Sequence, residues 1–381
     1  MKNKIFSLVL VLLFVFGVSL LVKKQDGYLF AENREKMTND SFITEPSFDT
    51  ANKILRDQIP FRDDVINNFS RLFSKFSVGN KTICYKREYI RSNDFYLDNT
   101  YTRSASDLSQ ICSSKAYNIN EISNKYKDIK TYVYYPRRSL KEQLLDSIYI
   151  PNNVEQYEQI FLSYVGDKIK YQSLDCLDED LPKLFYKTDH HYNFLGADKV
   201  YNDIVNMINK DINIGGPLPI LNTFSINDRF IGSYGENDGG IVDVYDDLIV
   251  ADYGVDNTDY DYYINDKKTS INKERESTLN DPIYSKYRTY GSYFHVNSGK
   301  VVFDYHDNSK KNILIFSDSY IGPIKEVLST HFDKTVIICG YNELNKLKLD
   351  QTIKENDIDI ILFLWYQKNL FYNGYYFVPI N

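Results

Sequence analysis

Three short, almost uninterrupted apolar runs, NILIFSDSY (312–320), KTVIIC (334–339) and DIDIILFLW (357–365), limit the fold more than any other feature of the chain. They are too short for independent helices and continuous rather than alternating. Such runs, separated by helical segments, predict strands buried on both faces of a parallel sheet. TYVYYPRRS (131–139) is a further β-rich run, ended by Pro136 and preceded by a helix before residue 128. In LGADKVYNDIVNMIN (195–209), Ala197, Val200, Tyr201, Ile204 and Ile208 share one helical face. This alternation predicts an α/β body. Residues 215–305, rich in Asp, Asn, Gly and Tyr, contain pieces such as DLIVADY and KVVFDYH, expected to form irregular hairpins inserted in that body.

With 381 residues, 43% of them hydrophobic, the chain can build one large core or two ordinary ones. Seventeen glycines and 10 prolines are too few for a fibrous or disordered chain. A balance of 45 basic and 52 acidic side chains gives no basic face for nucleic acid. The four cysteines, Cys84, Cys112, Cys176 and Cys339, have no CxxC spacing, which indicates neither a zinc module nor a disulfide scaffold. The 34 tyrosines suit stacking on sugars, but a compositional bias explains them equally.

Residues 5–22 form an uncharged apolar run, long enough at about 1.5 Å per residue to cross a bilayer core. Lys2 and Lys4 precede it, and Lys23 and Lys24 follow. No small-x-small cleavage site follows, so an uncleaved anchor is favoured over a removed signal peptide. Either reading places the body outside the cytoplasm. The expected division is an anchor at 1–27, a linker and helical arm at 28–80, and an α/β domain at 81–381. In the arm, DQIPFRDDVINNFSRLFSKFSV reads as a helix entered at Pro60, with Val65, Ile66, Phe69, Leu72, Phe73 and Phe76 at helical spacing.

Two constellations could carry chemistry. In Lys187-Thr188-Asp189-His190-His191-Tyr192, an extended loop would point Asp189 and His191 the same way and His190 the other. A carboxylate beside an imidazole suits a general base. Asp189 or Asn193 capping the helix at 195–209, with exposed histidines, is the competing reading, and a metal site is a third. The second constellation is Phe316-Ser317-Asp318-Ser319-Tyr320, at the carboxyl end of a strand, where nucleophiles and ligands of open α/β sheets sit. A serine there is either a nucleophile or a helix cap. Taken together, the two supply the Ser, His and Asp that nucleophilic catalysis needs.

Asp-His-His-Tyr followed by Gly196-Ala197, and a later strand ending in Asp-Ser-Tyr, resemble the DHHW family of bacterial cell-surface proteins. That family is related to the alginate O-acetyltransferase proteins AlgJ and AlgX, whose domains are SGNH-hydrolase-like. Glu32-Asn33-Arg34 and Gln58-Ile59-Pro60-Phe61-Arg62 resemble further elements of the family. The resemblance implies an SGNH-like parallel sheet flanked by helices, with Ser319 as nucleophile, His191 as base and Asp189 orienting it. It implies O-acyl transfer, foremost acetyl, onto a polysaccharide, with no cofactor or metal. The implied partners are the polysaccharide acceptor and a membrane-bound acyltransferase that supplies acetyl groups. An esterase and a non-catalytic glycan-binding protein of the same fold are the alternatives.

The chain departs from the family pattern in places. Tyr192 replaces the Trp of the family name, Ser317 stands where SGNH enzymes usually have Gly, and Gly340 stands where an Arg is common. Tyr366, Gln367 and Tyr341 are the candidates for oxyanion or substrate contacts.

Overall fold

The computed structural model describes residues 46–59, 105–137, 154–175, 178–234, 244–280, 289–295, 299–366, 368–372 and 377–380. Before residue 100 it also describes residues 28–29, 34–37, 81–83, 88–92 and 95–98, with Val11, Val15, Ile43, Arg62, Val65 and Asn68. The chain divides into two compact units, Met1–Leu97 with Ser233–Val244 and Asp98–Gly232 with Tyr245–Asn381.

In the first unit, the expected irregular arm contains a two-stranded pairing of Tyr28–Leu29 with Arg34–Glu35. A helix not anticipated from the apolar pattern spans Phe48–Asp57. Its local signals explain it: the Ser47 side chain caps it by accepting from the Thr50 N–H, Asp49 lies in the first turn and Arg56 in the last. Of the helix expected from Pro60 onward, Arg62, Val65 and Asn68 are helical and the rest lies outside the described residues. The apolar run at 5–22 also lies outside them, apart from Val11 and Val15. No helix among the described residues is long and apolar enough to cross a membrane.

The second unit is built on an eight-stranded sheet. In chain order its strands, with a separate ribbon, are β1 (Lys130–Tyr135), β2 (Lys170–Ser173), the ribbon β3 (Asn222–Phe230) and β4 (Asp246–Asp252), then β5 (Asp261–Ile264), β6 (Lys267–Thr269), β7 (Lys300–Asp304), β8 (Ile313–Ser317), β9 (Lys334–Cys339) and β10 (Ile360–Leu364). The sheet order is β6-β5-β7-β9-β8-β10-β1-β2. The five strands from β9 to β2 run parallel, and β7, β5 and β6 extend them antiparallel. The fold is therefore mixed α/β: the parallel sheet expected is present and dominates, and three antiparallel strands extend it. Every residue of β8 and β10 is buried, which is why their sequences read as unbroken apolar runs.

The stretch at 215–305 is only partly an insertion. β3 and β4 form a bulged antiparallel ribbon, but β5, β6 and β7 belong to the main sheet. The β5–β6 turn uses Asn265 and Asp266, both at positive φ, as a two-residue hairpin favours.

Helices α1 (Ala105–Lys125) and α2 (Val154–Tyr164) cover one face, where Cys112, Ala116, Ile119 and Phe161 meet Val133, Tyr135, Leu314 and Phe316. The alternate residues of β1 turn to the other face: Tyr134 donates to Asp203 of α3 (Phe194–Asn209) at 2.8 Å. The chemistry-bearing loops therefore meet at the carboxyl end of β8.

Candidate active site

β8 ends at Ser317, Asp318 continues in extended conformation, and Ser319–Ile321 make a single 3-10 turn. Facing it, the loop 187–193 bends sharply before α3. Asn193 caps that helix by accepting from the Leu195 and Gly196 N–H groups, so Asp189 is not the cap. Gly196 lets α3 start against the preceding segment, since a Cβ there would lie 2.1 Å from the Leu184 carbonyl oxygen.

Asp189 Oδ1 instead accepts from the His191 N–H at 2.9 Å and lies 2.5 Å from His191 Nδ1. Nδ1 thus carries the proton, and Nε2 is left to accept from the Ser319 hydroxyl 2.6 Å away. Asp189 and His191 are buried, while Ser319 is partly exposed. The His191 ring stacks on Tyr290 at 4.0 Å and 22°, and Tyr290 donates to the Ser319 carbonyl at 3.4 Å. Tyr192 donates to the Tyr320 carbonyl, and Tyr320 to the His190 carbonyl, locking the two loops together. Among the described residues nothing accepts from the Ser319 N–H, which sits at the start of the turn. A hydroxyl, an acceptor imidazole and a buried carboxylate in series can deprotonate the hydroxyl as it attacks an electrophile.

Three supporting residues escape sequence reasoning. Asp246, at the start of β4, accepts from the Lys187 N–H at 2.9 Å and from the Thr188 N–H and hydroxyl at 2.8 and 2.6 Å. Burial raises its pKa and these hydrogen bonds pull it back. Gly232 donates its N–H to the Thr188 hydroxyl at 3.0 Å, and a Cβ on it would lie 2.1 Å from the Asp189 Cβ. Asp318 is buried behind the nucleophile turn and accepts from the Tyr320 N–H (3.1 Å), the Tyr366 N–H (2.8 Å) and Asn369 Nδ2 (2.7 Å). Burial raises its pKa too, against the same kind of opposition. The sequence marks Asp318 only as the residue before Ser319, and Asp246 and Gly232 not at all, because each supports the site through contacts made only in the folded chain.

Other anticipated residues fall differently. Ser317 is fully buried and donates to the Leu364 carbonyl at 2.8 Å, tying β8 to β10. Tyr366 is buried; its N–H goes to Asp318 and its ring stacks on Tyr320 at 4.7 Å. Tyr341 opens a short helix, and its side chain, like Gln367, lies outside the described residues. Gly340 has φ +89°, a conformation that disfavours the arginine common in the resembling family. The expectation that His190 points away from His191 is wrong. The bend replaces an extended strand and sets the two rings 3.9 Å apart.

No family model matches the chain, and no curated protein sequence does. Solved structures do match in fold. PatB1 of Bacillus cereus, in its form with a sulfonyl adduct, superposes with a TM-score of 0.62 at 16% identity, covering 78% of this chain and 99% of that one. A DHHW family protein from Eubacterium siraeum gives 0.55 at 14% identity, covering 78% and 95%. The chain therefore shares the fold of a DHHW family protein. The O-acetyltransferase domain of Pseudomonas putida AlgJ, at 10% identity over 77% and 93%, matches with a TM-score of 0.43, too distant to argue from.

Proposed function

We propose that the chain is an O-acyltransferase of the cell surface that moves acyl groups, acetyl foremost, onto hydroxyls of a polysaccharide. The observation that carries the reading is the hydrogen-bonded series Ser319–His191–Asp189 at the carboxyl end of a central strand. His191 Nε2 takes the Ser319 proton as Oγ attacks the acyl carbonyl. The Ser319 N–H is the donor best set to meet the oxyanion. Collapse expels the leaving group, which takes the proton from His191, and leaves an ester on Ser319. A sugar hydroxyl then attacks that ester, gives its proton to His191, and departs acylated as Ser319 regains its proton. The fold shared with a DHHW family protein and with PatB1, a protein that forms a sulfonyl adduct, supports this reading. The apolar run at 5–22 would hold the body on the outer side of the membrane, beside a membrane-bound acyl donor.

The test is to incubate the full-length chain with an activated acetyl ester and an oligosaccharide acceptor and to weigh both products by mass spectrometry. Acetylated oligosaccharide, with an acetyl group trapped on Ser319, is the expected result. Release of acetate with no acetylated sugar would make the protein an esterase. Equal activity in Ser319→Ala would remove the assignment.

A further inference from the structure

The bend that brings His190 beside His191 has a chemical consequence that the acyl-transfer mechanism does not use. Asp189, His190 and His191 each offer one donor atom, and these three atoms lie within 4.8 Å of one another. His190 Nδ1 is 3.6 Å from Asp189 Oδ1. Around zinc, imidazole nitrogens and carboxylate oxygens stand about 2.0–2.2 Å from the metal, so small side-chain rotations bring these donors onto one ion. The donor set, two imidazoles and one carboxylate, is that of a borderline-soft divalent cation rather than of magnesium or calcium. Access is also present: the His190 side chain is 31% exposed, whereas the side chains of Asp189 and His191 are only 6% and 7% exposed.

We infer that Asp189, His190 and His191 form an inhibitory site for zinc or a similar transition-metal ion. Inhibition follows from which nitrogen the metal takes. If it binds His191 Nδ1, it displaces the hydrogen bond to Asp189. The ring proton then sits on Nε2, the position that accepts from Ser319. The imidazole is thus held by the metal and can no longer receive a proton. His190 is the residue that creates the site, since without it only the Asp189–His191 pair remains. The ion binds by ligand exchange with water and undergoes no redox change. The inhibitory effect rests on the acyl-transfer reading above, but the binding site does not.

The experiment keeps the two apart. Zinc affinity of the full-length chain is measured by competition with a chromogenic chelator, for the wild type and for His190→Ala, Ser319→Ala and His306→Ala. Outer-shell partners alone are worth about 10–100-fold in metal affinity, so loss of a direct ligand in His190→Ala should weaken binding at least tenfold. Ser319→Ala should bind zinc while being inactive. His306 lies 3.3 Å from an Asp261 oxygen and 3.2 Å from an Asp304 oxygen, so it is a second place where zinc could collect. His306→Ala should leave the measured affinity unchanged. Where acyl transfer is measurable, zinc should inhibit the wild type and His190→Ala should resist it. Wild type that binds no zinc, His190→Ala that binds as tightly as wild type, or loss of binding in His306→Ala overturns the site. Tight binding without inhibition overturns the inhibitory role alone.

Discussion

His191 Nε2 lies 2.6 Å from Ser319 Oγ although 128 residues of chain separate them. Ser319→Ala and His191→Ala should each lower the acyl-transfer rate by about 10³-fold or more, with Asp189→Ala costing somewhat less because it acts only through the imidazole. Single-turnover kinetics with an activated acetyl ester would check this. A His191→Ala enzyme near wild-type rate would mean that another group takes the proton.

The support of Asp189 can be separated from its chemistry. Gly232→Ala places a Cβ 2.1 Å from the Asp189 Cβ, so the carboxylate must move. A displacement near 1 Å costs about 10²-fold in rate, and kcat should fall by that order while the chain stays folded. Gly216→Ala, with nothing within 4 Å of the new atom, is the neutral control. Asp246→Ala should resemble Gly232→Ala, and Asp246→Asn should recover part of the rate because an amide oxygen still accepts from Thr188.

Ser317 gives the opposite pattern. Its hydroxyl is buried on the Leu364 carbonyl, away from the reacting groups. Ser317→Gly should lower stability by about 1–3 kcal/mol through the lost partner and leave the rate unchanged. Thermal melting and the ester assay on the same preparation decide it. A large loss of rate without loss of stability would place Ser317 in the chemistry.

The pH dependence of stability should carry the mark of Lys115. This side chain is fully buried, with Nζ 5.1 Å from the Trp365 ring centre and 4.3 Å from that of Phe377, and burial lowers its pKa to about 6. The unfolded chain holds that proton up to about pH 10. Between those values the unfolded state binds more protons, so stability rises with pH, by on the order of 1 kcal/mol per unit. Lys115→Met should therefore stabilise most near pH 6 and progressively less toward pH 10. Melting temperatures of both proteins across that range are the check, and a constant difference would refute it.

How much of this was legible depended on where each residue's partners lie. β8, β9 and β10 could be read because burial on both faces leaves them almost wholly apolar, with polar residues only at their ends. β2 could not, since it pairs only with β1 at the sheet edge and stays partly exposed. β5, β6 and β7 looked like local hairpins because alternation is the same whether a strand joins the main sheet or a separate ribbon. In the site, the closeness of Asp189 to His191 follows from two-residue spacing, whereas Asp246 is 58 residues from Thr188. His190 was misjudged because the loop bends where an extended strand was assumed.

The order of the sheet sets a schedule for making the protein. Among the described residues β10 is the last strand to be synthesised, yet it lies between β8 and β1, and it pairs with β1 across some 230 positions of chain. Until it emerges from the ribosome, β1 and β2 have no connection to the rest of the sheet. The same late segment supplies the Tyr366 N–H and the Asn369 side chain that hold Asp318 behind the nucleophile turn. A chain cut short before residue 360 therefore has its sheet split in two and its nucleophile support missing, so a half-made protein carries no half-working serine.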